Sequence, residues 1–499
     1  MKLIADSARL RELFTTEQVR DIEAVAIDVD GIPGQQLMRR AAQATLTVLL
    51  ARWPTAKRLV VLCGKGNNAG DGFVLATLAT QQGLLVDVVL CGEVNALNGD
   101  AAQAYGELLA AGVTPELFAP FRARSGDHDV AVDAMLGTGL RGAPAGVFVD
   151  AITWLNVAQK PCIAIDVPSG LNADTGVAAG ACVHADVTVT FIGLKRGLMT
   201  GLARNFCGDI HVDRLGIPDS TFAAESHRGR AVSWPETRAL LPHLKPASFK
   251  HQRGHCLIIG GASGMGGAVC LAAEACLRAG AGVVSALLHP QHLVALNVRC
   301  PEVMAQGFSD AAALHAAIAR ATAIVIGPGL SQADWAIAAV KAALDSKKPI
   351  VLDADALRIV AAQAFDVAHA ILTPHPGEAA ALLKCKTADI EHDRYAAVQH
   401  LSEQTAATII LKGAGSLIAD SKRLVVLTGG NAGMATAGSG DVLAGIAGAL
   451  LAQGLRGFDA AQLAASWHAE AGDRAATHGQ LGIIASDLIA QIPLVANQL

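Results

Sequence analysis

Aromatic residues and runs of basic residues are scarce in this sequence. Phe, Trp and Tyr make up 4% of the 499 residues, and the formal net charge is −5. Proteins that bind single-stranded nucleic acid stack bases on aromatic side chains, and nucleic-acid surfaces in general gather Lys and Arg. The composition therefore argues against a nucleic-acid partner.

Several other signatures are missing. The 10 cysteines are scattered and form no CxxC pair, which predicts reduced core thiols rather than disulfides or a zinc site. The absence of HExxH and GxSxG motifs argues against a zinc protease and a serine hydrolase. No run of about 18 uncharged apolar residues occurs, and the first residues, MKLIADSARLREL, lack the apolar core of a signal peptide. We expect a cytoplasmic protein without a membrane partner.

Glycine and alternating apolar segments are what the chain does have. It contains 51 glycines and 52% hydrophobic residues, and its length exceeds that of one ordinary core, so two domains are expected. Short apolar runs alternate with helical patterns, which indicates βαβ units and a mainly parallel sheet. The predicted strands of the first half are 58–63, 84–91, 129–134, 162–166 and 186–191. Helices are predicted over 15–50, 69–82 and 147–157, and the sequence from Thr15 to Gln18 predicts a capping box.

A second alternating series follows a stretch rich in Ser, Pro, His and Arg between 218 and 254. We place the boundary near 225–231, with domains at 1–226 and 232–499. The predicted strands of the second half are 255–259, 283–288, 323–326, 350–353, 370–372 and 408–411. A hairpin is predicted from the runs 416–419 and 424–427, and long helices are predicted over 441–453 and 460–477. The fold class is therefore α/β, with two domains in tandem.

The segment NAGMATAGSGDVLAG, 431–445, has the sequence of a helix start that holds an anion. Glycines let the backbone approach phosphate oxygens, and the free N–H groups and dipole of a helix N-terminus favour negative charge. An acid at that place repels a phosphate unless it has another task. Asp441 is suited to take a proton from a hydroxyl group that attacks the phosphate.

Three strands of the first half end in polar residues that fit a ligand site. The strand 58–63 runs into CGKGNNAGDG, Asp133 precedes the sequence GTGLRGA, and Asp166 precedes the sequence PSG. Ligands gather at the carboxyl ends of strands in open α/β sheets, so we expect these ends to converge on one crevice. Oxygens of Asn68, Asp133 and Ser169 suit a hard cation there.

Predicted strands of the second half also end in glycine or polar residues. The segments are GGASGMGGAV from 260, GPGL from 327, DADAL from 353, TPHPGE from 373 and KGAGS from 412. Lys412 is a candidate counter-charge for phosphate, with an ordinary solvated lysine as the alternative. His375 lies between two prolines, which restrict the backbone, so it is either a ligand contact or a structural histidine.

These motifs, in this order, resemble the bifunctional NAD(P)H-hydrate repair enzymes over nearly the whole chain. The most specific are GNNAGDG, DAMLGTGLRG, DVPSGLNADTG, DADAL, TPHPGE, LKGAGS and GNAGMATAGSGDVLAG. The resemblance implies an N-terminal Rossmann-like, doubly wound domain that epimerises hydrated NADH and NADPH at C6 of the nicotinamide ring. It also implies a C-terminal ribokinase-like domain that dehydrates the S epimer with ADP, releasing AMP and phosphate.

The resemblance also assigns residues, motif by motif. The epimerase would bind the hydrate through Asn67, Asn68, Ala69, Gly70, Asp71, Gly137, Thr138, Gly139, Leu140, Arg141, Gly142, Ala143 and Asp166. Asp166 would be its acid/base residue, and Asn68, Asp133 and Ser169 would hold potassium. The dehydratase would contact the hydrate through Ala268, Gly329, His375 and Asp441, and the nucleotide through Lys412, Gly413, Ala414, Gly415, Ser416 and Gly440. Asp441 would deprotonate the C6 hydroxyl group, and Mg²⁺ would accompany ADP.

Two alternatives are left open. A ribokinase-like small-molecule kinase would explain GSGD and Lys412 but not the first domain. The first domain is alternatively a binding or dimerisation module without catalysis, against which Asp71, Asp133 and Asp166 argue. The residues do not decide between ADP and ATP, although the two-domain fusion favours ADP. We expect a homo-oligomer.

Overall fold

The computed structural model describes residues 1–5, 7–119, 121, 127–223 and 229–498. The chain forms two compact units, Met1–Arg230 and Ala231–Leu499. Residues 225–228 of the predicted boundary segment lie outside the described residues, so the predicted limits at 226 and 232 stay predictions. No described helix is long and apolar enough to cross a membrane.

A parallel sheet forms the centre of the first unit. The strands up to residue 232, numbered along the chain, are β1 (Leu3–Ile4), β2 (Glu12–Phe14), β3 (Arg58–Cys63), β4 (Leu85–Leu90), β5 (Glu116–Leu117), β6 (Val130–Ala134), β7 (Cys162–Ile165), β8 (Val187–Phe191), β9 (Leu194–Lys195), β10 (Asp209–Asp213) and β11 (Gly229–Val232). Strands β2, β9 and β11 do not belong to this sheet. The sheet has the order β1-β10-β8-β7-β6-β3-β4-β5, and every pairing in it is parallel. Strands β6, β7 and β8 are buried along their whole length, which explains their continuous apolar sequences.

Helices cover this sheet. They are Thr16–Asp28, Gly34–Arg52, Asn67–Gln81, Gly99–Ala110, Val147–Ala158 and Asp219–Ala223. The single helical segment predicted over 15–50 is wrong in one respect, because Gly31, with φ +70°, and Pro33 divide it into two helices. The predicted capping box is confirmed: the Gln18 N–H donates to Thr15 Oγ1 at 3.2 Å, and the Thr15 N–H donates to Gln18 Oε1 at 3.0 Å.

The second unit has a larger sheet that is parallel except at one end. Its strands are β12 (His255–Ile259), β13 (Val283–Leu288), β14 (Met304–Gly307), β15 (Ala323–Ile326), β16 (Ile350–Leu352), β17 (Ala370–Leu372), β18 (Thr408–Leu411), β19 (Leu417–Ala419) and β20 (Leu424–Leu427). Their order is β14-β13-β12-β15-β16-β17-β18-β19-β20, with antiparallel pairing from β18 onwards. The predicted hairpin is therefore confirmed. Strand β14 was not predicted, because its alternately half-buried and exposed residues give no apolar run.

The helices of the second unit include one apolar helix, Ser439–Ala452, which packs against Gly266–Arg278, Gly457–Ala475 and Ala485–Asn497. The helices are Trp234–Thr237, Gly266–Arg278, Leu293–Arg299, Ala311–Arg320, Asp334–Asp345, Asp355–Ala362, Pro376–Leu383, Thr387–His392, Arg394–Thr405, Ser439–Ala452, Gly457–Ala475 and Ala485–Asn497. Ser439–Ala452 is buried from Val442 onwards, and its glycines allow close approach. A Cβ at Gly445 would lie 2.2 Å from the Ala272 carbonyl oxygen, and one at Gly448 would lie 2.2 Å from Val325 Cγ2. This tight packing fixes the position of the helix N-terminus.

Candidate active sites

A cavity of 740 Å³ opens in the first unit at the carboxyl ends of β3, β6 and β7. The loops after β3 and β6 line it, together with Asp166 after β7, so the three strand ends do meet at one crevice. One face of the helix Thr16–Asp28 and the first half of the helix Gly34–Arg52 also line it. The predicted binding residues in its wall are Asn67, Asn68, Asp71, Gly137, Thr138, Gly139, Leu140, Arg141 and Asp166.

Four predicted contact residues do not line this cavity. Ala69 and Gly70 are buried at the start of the helix Asn67–Gln81, where a Cβ on Gly70 would lie 2.5 Å from Met38 Cε. Gly142 and Ala143 are exposed and lie beyond the part of their loop that forms the wall. A role for these four in substrate binding stays a prediction.

The three predicted cation ligands are all buried. Asp133 is fully buried, and it accepts hydrogen bonds from Ser169 N at 2.7 Å and from Ser169 Oγ at 2.6 Å. Burial raises the pKa of Asp133 to about 6, although these hydrogen bonds act in the opposite direction. The amide oxygen and nitrogen of Asn68 are also buried, and neither has a hydrogen-bond partner among the described residues. Amide, hydroxyl and carboxylate oxygens are ligands that a hard cation takes, and the binding of potassium by these three residues stays a prediction.

Asp166 is held in an unusual backbone conformation beside a buried lysine. Its φ is +65°, a conformation that costs free energy for any residue but glycine. Lys195 is 1% exposed, and its Nζ donates to Asp166 Oδ1 at 2.5 Å and to the Phe191 carbonyl oxygen at 2.7 Å. Thr190 Oγ1 lies 3.3 Å from the same carboxylate oxygen. The carboxylate is therefore fixed in place at the cavity wall.

The prediction missed two residues of this site, Glu23 and Lys195. Lys195 lies in the segment GLKRG beside Arg196, where the sequence gives no sign that the structure buries it to 1% exposure. Glu23 lies in the cavity wall, and burial together with the charge of Asp166 raises its pKa. Burial also raises the pKa of Asp71 well above its ordinary value, with Asp166 and Glu23 adding to the effect. This cavity thus gathers acids that bind protons more tightly than exposed acids do.

In the second unit, the helix Ser439–Ala452 begins at Gly438, whose φ is +87°. Asp441 lies in its first turn, and a Cβ built on Gly438 would be 3.9 Å from Asp441 Oδ2, so the carboxylate stays at the helix mouth. Burial, followed by the charge of Asp353, raises the pKa of Asp441 to about 7 against the opposing charge of Lys412. The predicted acid is thus at the helix mouth, with the proton affinity of a base that works near neutral pH.

Lys412 faces the same mouth. A Cβ on Gly440 would lie 3.3 Å from Lys412 Nζ and 4.0 Å from Asp353 Oδ2. The amine donates to Asp353 Oδ1 at 2.9 Å and lies 3.8 Å from Glu378 Oε2. Burial lowers the pKa of Lys412, but the carboxylates of Asp353 and Glu378 outweigh that effect and raise it. Lys412 is therefore a charged lysine held by acids, and not the solvated lysine of the alternative interpretation.

His375 caps a helix with its ring. Its Nδ1 accepts hydrogen bonds from the N–H groups of Gly377 at 3.0 Å and Glu378 at 3.3 Å. The proton is accordingly on Nε2, which lies 3.3 Å from Glu378 Oε1. The side chain is 49% exposed, so a ligand contact stays open to it in addition to this structural role.

The remaining predicted contacts of the second unit lie at the start of the helix Gly266–Arg278 and in two loops. Gly329 has φ +58°, and a Cβ there would lie 3.3 Å from Ala268 Cβ, so these two predicted hydrate contacts are neighbours. In the loop Lys412 to Ser416, Gly413 has φ +138°, and Ser416 Oγ donates to its carbonyl oxygen at 3.0 Å. Arg394, which is 1% exposed, donates to the Lys412 carbonyl oxygen at 3.0 Å and fixes this loop.

Asp353, Glu378 and Arg394 were missed as site residues. Asp353 directly follows strand β16, and this strand-end position was a usable signal, whereas Glu378 lies in the first turn of the helix Pro376–Leu383. Arg394 gives none, because it lies in a helix whose sequence shows no strong apolar face. Among the described residues, no group of three or more His, Cys, Asp or Glu side chains is arranged to hold a metal ion.

Two protein-family models match this chain. One is described as YjeF-related protein N-terminus and matches residues 34–197, and the other as NAD(P)H-hydrate dehydratase and matches residues 256–494. The bifunctional NAD(P)H-hydrate repair enzyme of Coxiella burnetii is 42% identical over 493 residues, covering 97% of this chain and 99% of the relative. The chain belongs to the bifunctional NAD(P)H-hydrate repair enzymes.

Further relatives agree with this assignment. The bifunctional NAD(P)H-hydrate repair enzyme of Escherichia coli is 39% identical over 487 residues, covering 97% of this chain and 94% of the relative. A ribokinase-like superfamily protein from Enterococcus faecalis is similar in structure, with a TM-score of 0.51 and 28% identity, over 54% of this chain and 95% of that one. The predicted family and α/β fold class are confirmed, and so is the predicted function, a bifunctional NAD(P)H-hydrate epimerase and dehydratase.

Proposed function

We propose that the second unit dehydrates the S epimer of NAD(P)H hydrate by phosphorylating its C6 hydroxyl group with ADP, with Asp441 as the base. Asp441 stands in the first turn of a glycine-rich helix start, and the charged amine of Lys412 faces the same place. Burial and Asp353 raise the pKa of Asp441 to about 7, so it binds a proton more strongly than an exposed carboxylate. A base of this strength at a phosphate-binding helix mouth is the observation that carries the proposal.

The reaction then takes two steps. Asp441 removes the proton of the C6 hydroxyl group, whose oxygen attacks the β-phosphorus of ADP while the bond to AMP breaks. The N–H groups of Gly438, Ser439 and Gly440, with Lys412, would stabilise the charge that develops on the phosphoryl oxygens. The C6–O bond breaks next with phosphate as the leaving group, and loss of a proton from C5 restores the dihydropyridine ring.

Replacing Asp441 by Asn tests this role. The variant is expected to lose dehydration by a factor of about 10² or more and to keep epimerisation, because the amide cannot accept the hydroxyl proton. Asp334→Asn is the matched control, since Asp334 is an exposed acid in the first turn of another helix. Undiminished dehydration by Asp441→Asn would refute the assignment. A stable phosphorylated product without recovery of NADH would support the kinase alternative instead.

For the first unit we propose that Asp166 is an acid/base residue of the epimerase. Its fixed carboxylate lies at the wall of a 740 Å³ cavity, a volume suited to a nucleotide. Asn67, Asn68, Asp71 and the loop from Gly137 to Arg141 would contact the hydrate there. Asp166→Asn is expected to abolish epimerisation and to leave dehydration of the S epimer intact. If the first unit were a module without catalysis, the substitution would have no epimerisation to abolish.

Two ions belong to this proposal. Potassium would be held by Asn68, Asp133 and Ser169, and the unpaired amide of Asn68 supports this. It would supply a fixed positive charge beside the loops that follow β3 and β6. Mg²⁺ would accompany ADP and neutralise charge on its phosphates; no protein ligand is assigned to it, since Asp353 is engaged by Lys412. The Asn68→Ala variant tests the potassium site. Its epimerisation rate should no longer respond to potassium, and its dehydration rate should be unaffected.

The nucleotide preference and the assembly state are further parts of the proposal. The Lys412 to Ser416 loop and Gly440 would contact the adenine nucleotide, and we expect ADP to be used in preference to ATP. Comparing initial dehydration rates with the two nucleotides decides this. A homo-oligomer is expected, and light scattering of the purified chain measures it.

A further inference from the structure

The cavity of the first unit contains a carboxylate that the assignments above leave unused. Glu23 lines this cavity, and its carboxylate accepts no hydrogen bond and forms no ion pair within the described part of the chain. A partly buried carboxylate without a partner is costly to keep unless a ligand or a proton completes it. Its position in the wall of a substrate cavity therefore points to a contact with substrate.

Glu23 approaches the cavity from a different element than Asp166 does. Val19, Arg20, Glu23, Ala24 and Ile27 lie on one face of the helix Thr16–Asp28, and this face forms part of the wall. Asp166 stands at the end of strand β7 instead. A ligand between the helix face and the strand ends would present different sides to the two carboxyl groups.

The helix that carries Glu23 is fixed in position relative to Lys195. The Thr16 N–H and hydroxyl group donate to the Asp174 carboxylate at 2.8 and 2.6 Å. The Asp174 carbonyl oxygen in turn accepts from Arg196 Nε at 3.1 Å, next in the chain to the lysine that binds Asp166. The start of the Glu23 helix and the lysine that binds Asp166 are thus linked through Asp174 and Arg196.

Epimerisation at C6 needs chemistry on both faces of the ring. One group must give a proton to the hydroxyl group that leaves, and another must take a proton from the water that arrives on the other face. A single carboxylate at one side of the ring reaches only one of these oxygens. The reaction therefore calls for two acid/base groups on different walls.

We propose that Glu23 is the second acid/base residue of the epimerase, serving the ring face opposite to the one served by Asp166. The inference rests on the role proposed above for Asp166. In one direction the Glu23 carboxyl group protonates the C6 hydroxyl group, the C6–O bond breaks, and the ring nitrogen lone pair forms a C=N⁺ bond. Water then adds to the other face of C6 and gives a proton to Asp166. The roles exchange in the reverse direction, and solvent returns the proton between the two carboxyl groups.

The charges around Glu23 support this division. Arg20 lies on its own helix face, and Asp71, Asp100, Asp166 and Lys195 reach the cavity from other elements. Burial and Asp166 raise the pKa of Glu23, whereas Asp166 is ion-paired with Lys195. Glu23 is therefore the carboxyl group suited to carry the proton at the start of the reaction, while the Lys195 amine holds Asp166 in place at the end of β7.

Epimerisation by purified full-length Glu23→Gln, measured in both directions on separated hydrate epimers, tests this proposal. We expect a fall of about 10² or more in kcat, a change in the pH profile on the limb that Glu23 sets, and unchanged dehydration of the S epimer by the same chain. Glu17→Gln is the matched control, because Glu17 is an exposed acid on the same helix, and it should epimerise normally.

Chemical rescue separates catalysis from a structural defect. Formate added to Glu23→Ala should restore part of the epimerisation rate, because it supplies the missing carboxyl group in the cavity. The proposal would be overturned if Glu23→Gln epimerised at the wild-type rate. It would also be overturned if formate did not restore epimerisation by Glu23→Ala. An inactive Asp166→Asn beside an active Glu23→Gln would leave the role of Asp166 standing and remove only that of Glu23.

Discussion

Replacing Asp441 by Asn is expected to stabilise the second unit at neutral pH even though it abolishes dehydration. Burial and Asp353 raise the pKa of Asp441 from 3.8 to about 7. The folded protein therefore binds this proton more tightly than the unfolded chain does, so the free energy of unfolding falls as pH rises between these two values. The cost is complete above pH 7 and absent below about pH 4.

The size of this effect follows from the same shift. A difference of about three pH units corresponds to a ceiling of ~4 kcal/mol, and partial solvent access of the carboxylate reduces this to about 2 kcal/mol. Since 1 kcal/mol moves the melting temperature of a unit of this size by about 2–4 °C, the amide variant should melt about 4–8 °C higher at pH 8. The pKa of about 7 already includes the attraction between the Lys412 amine and the Asp441 carboxylate, so this attraction is not counted again.

Scanning calorimetry of the whole chain measures this difference. Added ADP raises the melting temperature of the unit that binds it, so the unfolding transition of the second unit can be identified in the whole chain. At pH 8 Asp441→Asn should melt higher than wild type, and near pH 4 the two should coincide, whereas Asp334→Asn should follow wild type throughout. Equal melting at pH 8, or a benefit that grows as pH falls, would refute the reasoning.

Three further predictions concern the second unit. The rate of dehydration should rise with pH through a midpoint near 7, because Asp441 must be ionised to act as a base. Measuring kcat/KM for the S epimer across pH checks this. Lys412→Met should move that midpoint to higher pH, since the charge of Lys412 lowers the pKa of Asp441, and it should raise KM for ADP; an unmoved midpoint would contradict the coupling. Gly445→Ala should destabilise the unit by about 1–3 kcal/mol, because its Cβ would lie 2.2 Å from the Ala272 carbonyl oxygen. Denaturant unfolding measures this loss, and Gly267→Ala, on an exposed helix position of the same unit where nothing lies within 4 Å, should instead be neutral or stabilising.

Much of the fold was predictable from the sequence because buried parallel strands leave continuous apolar runs. Strands β3, β6, β7 and β8 each agree with prediction to about one residue, since apolar side chains on both faces end abruptly at polar loops. The edge strand β14 has one exposed side and leaves no such run, so its pairing with β13 decides its structure. The break between the first two helices was misjudged because amphipathic spacing continues across Gly31 and Pro33.

The candidate sites were predictable where glycine and a strand end coincide. Lys412 and Asp166 could be found this way, because each directly follows a strand of its own unit's sheet, and Asp441 could be found because it lies in a glycine-rich helix start. Glu23 and Arg394 could not, since each lies within a helix and reaches its site only through packing. The binding of Lys412 by Asp353 joins residues far apart in the chain, so no local pattern contains it.

Recovery of the dihydronicotinamide absorbance from mixed hydrate epimers with ADP tests the central claim most directly. The wild-type chain should recover all of the substrate, Asp166→Asn only the S part at the full rate, and Asp441→Asn none. Full recovery by Asp441→Asn, or equal recovery of both epimers by Asp166→Asn, would contradict the division of labour between the two carboxylates.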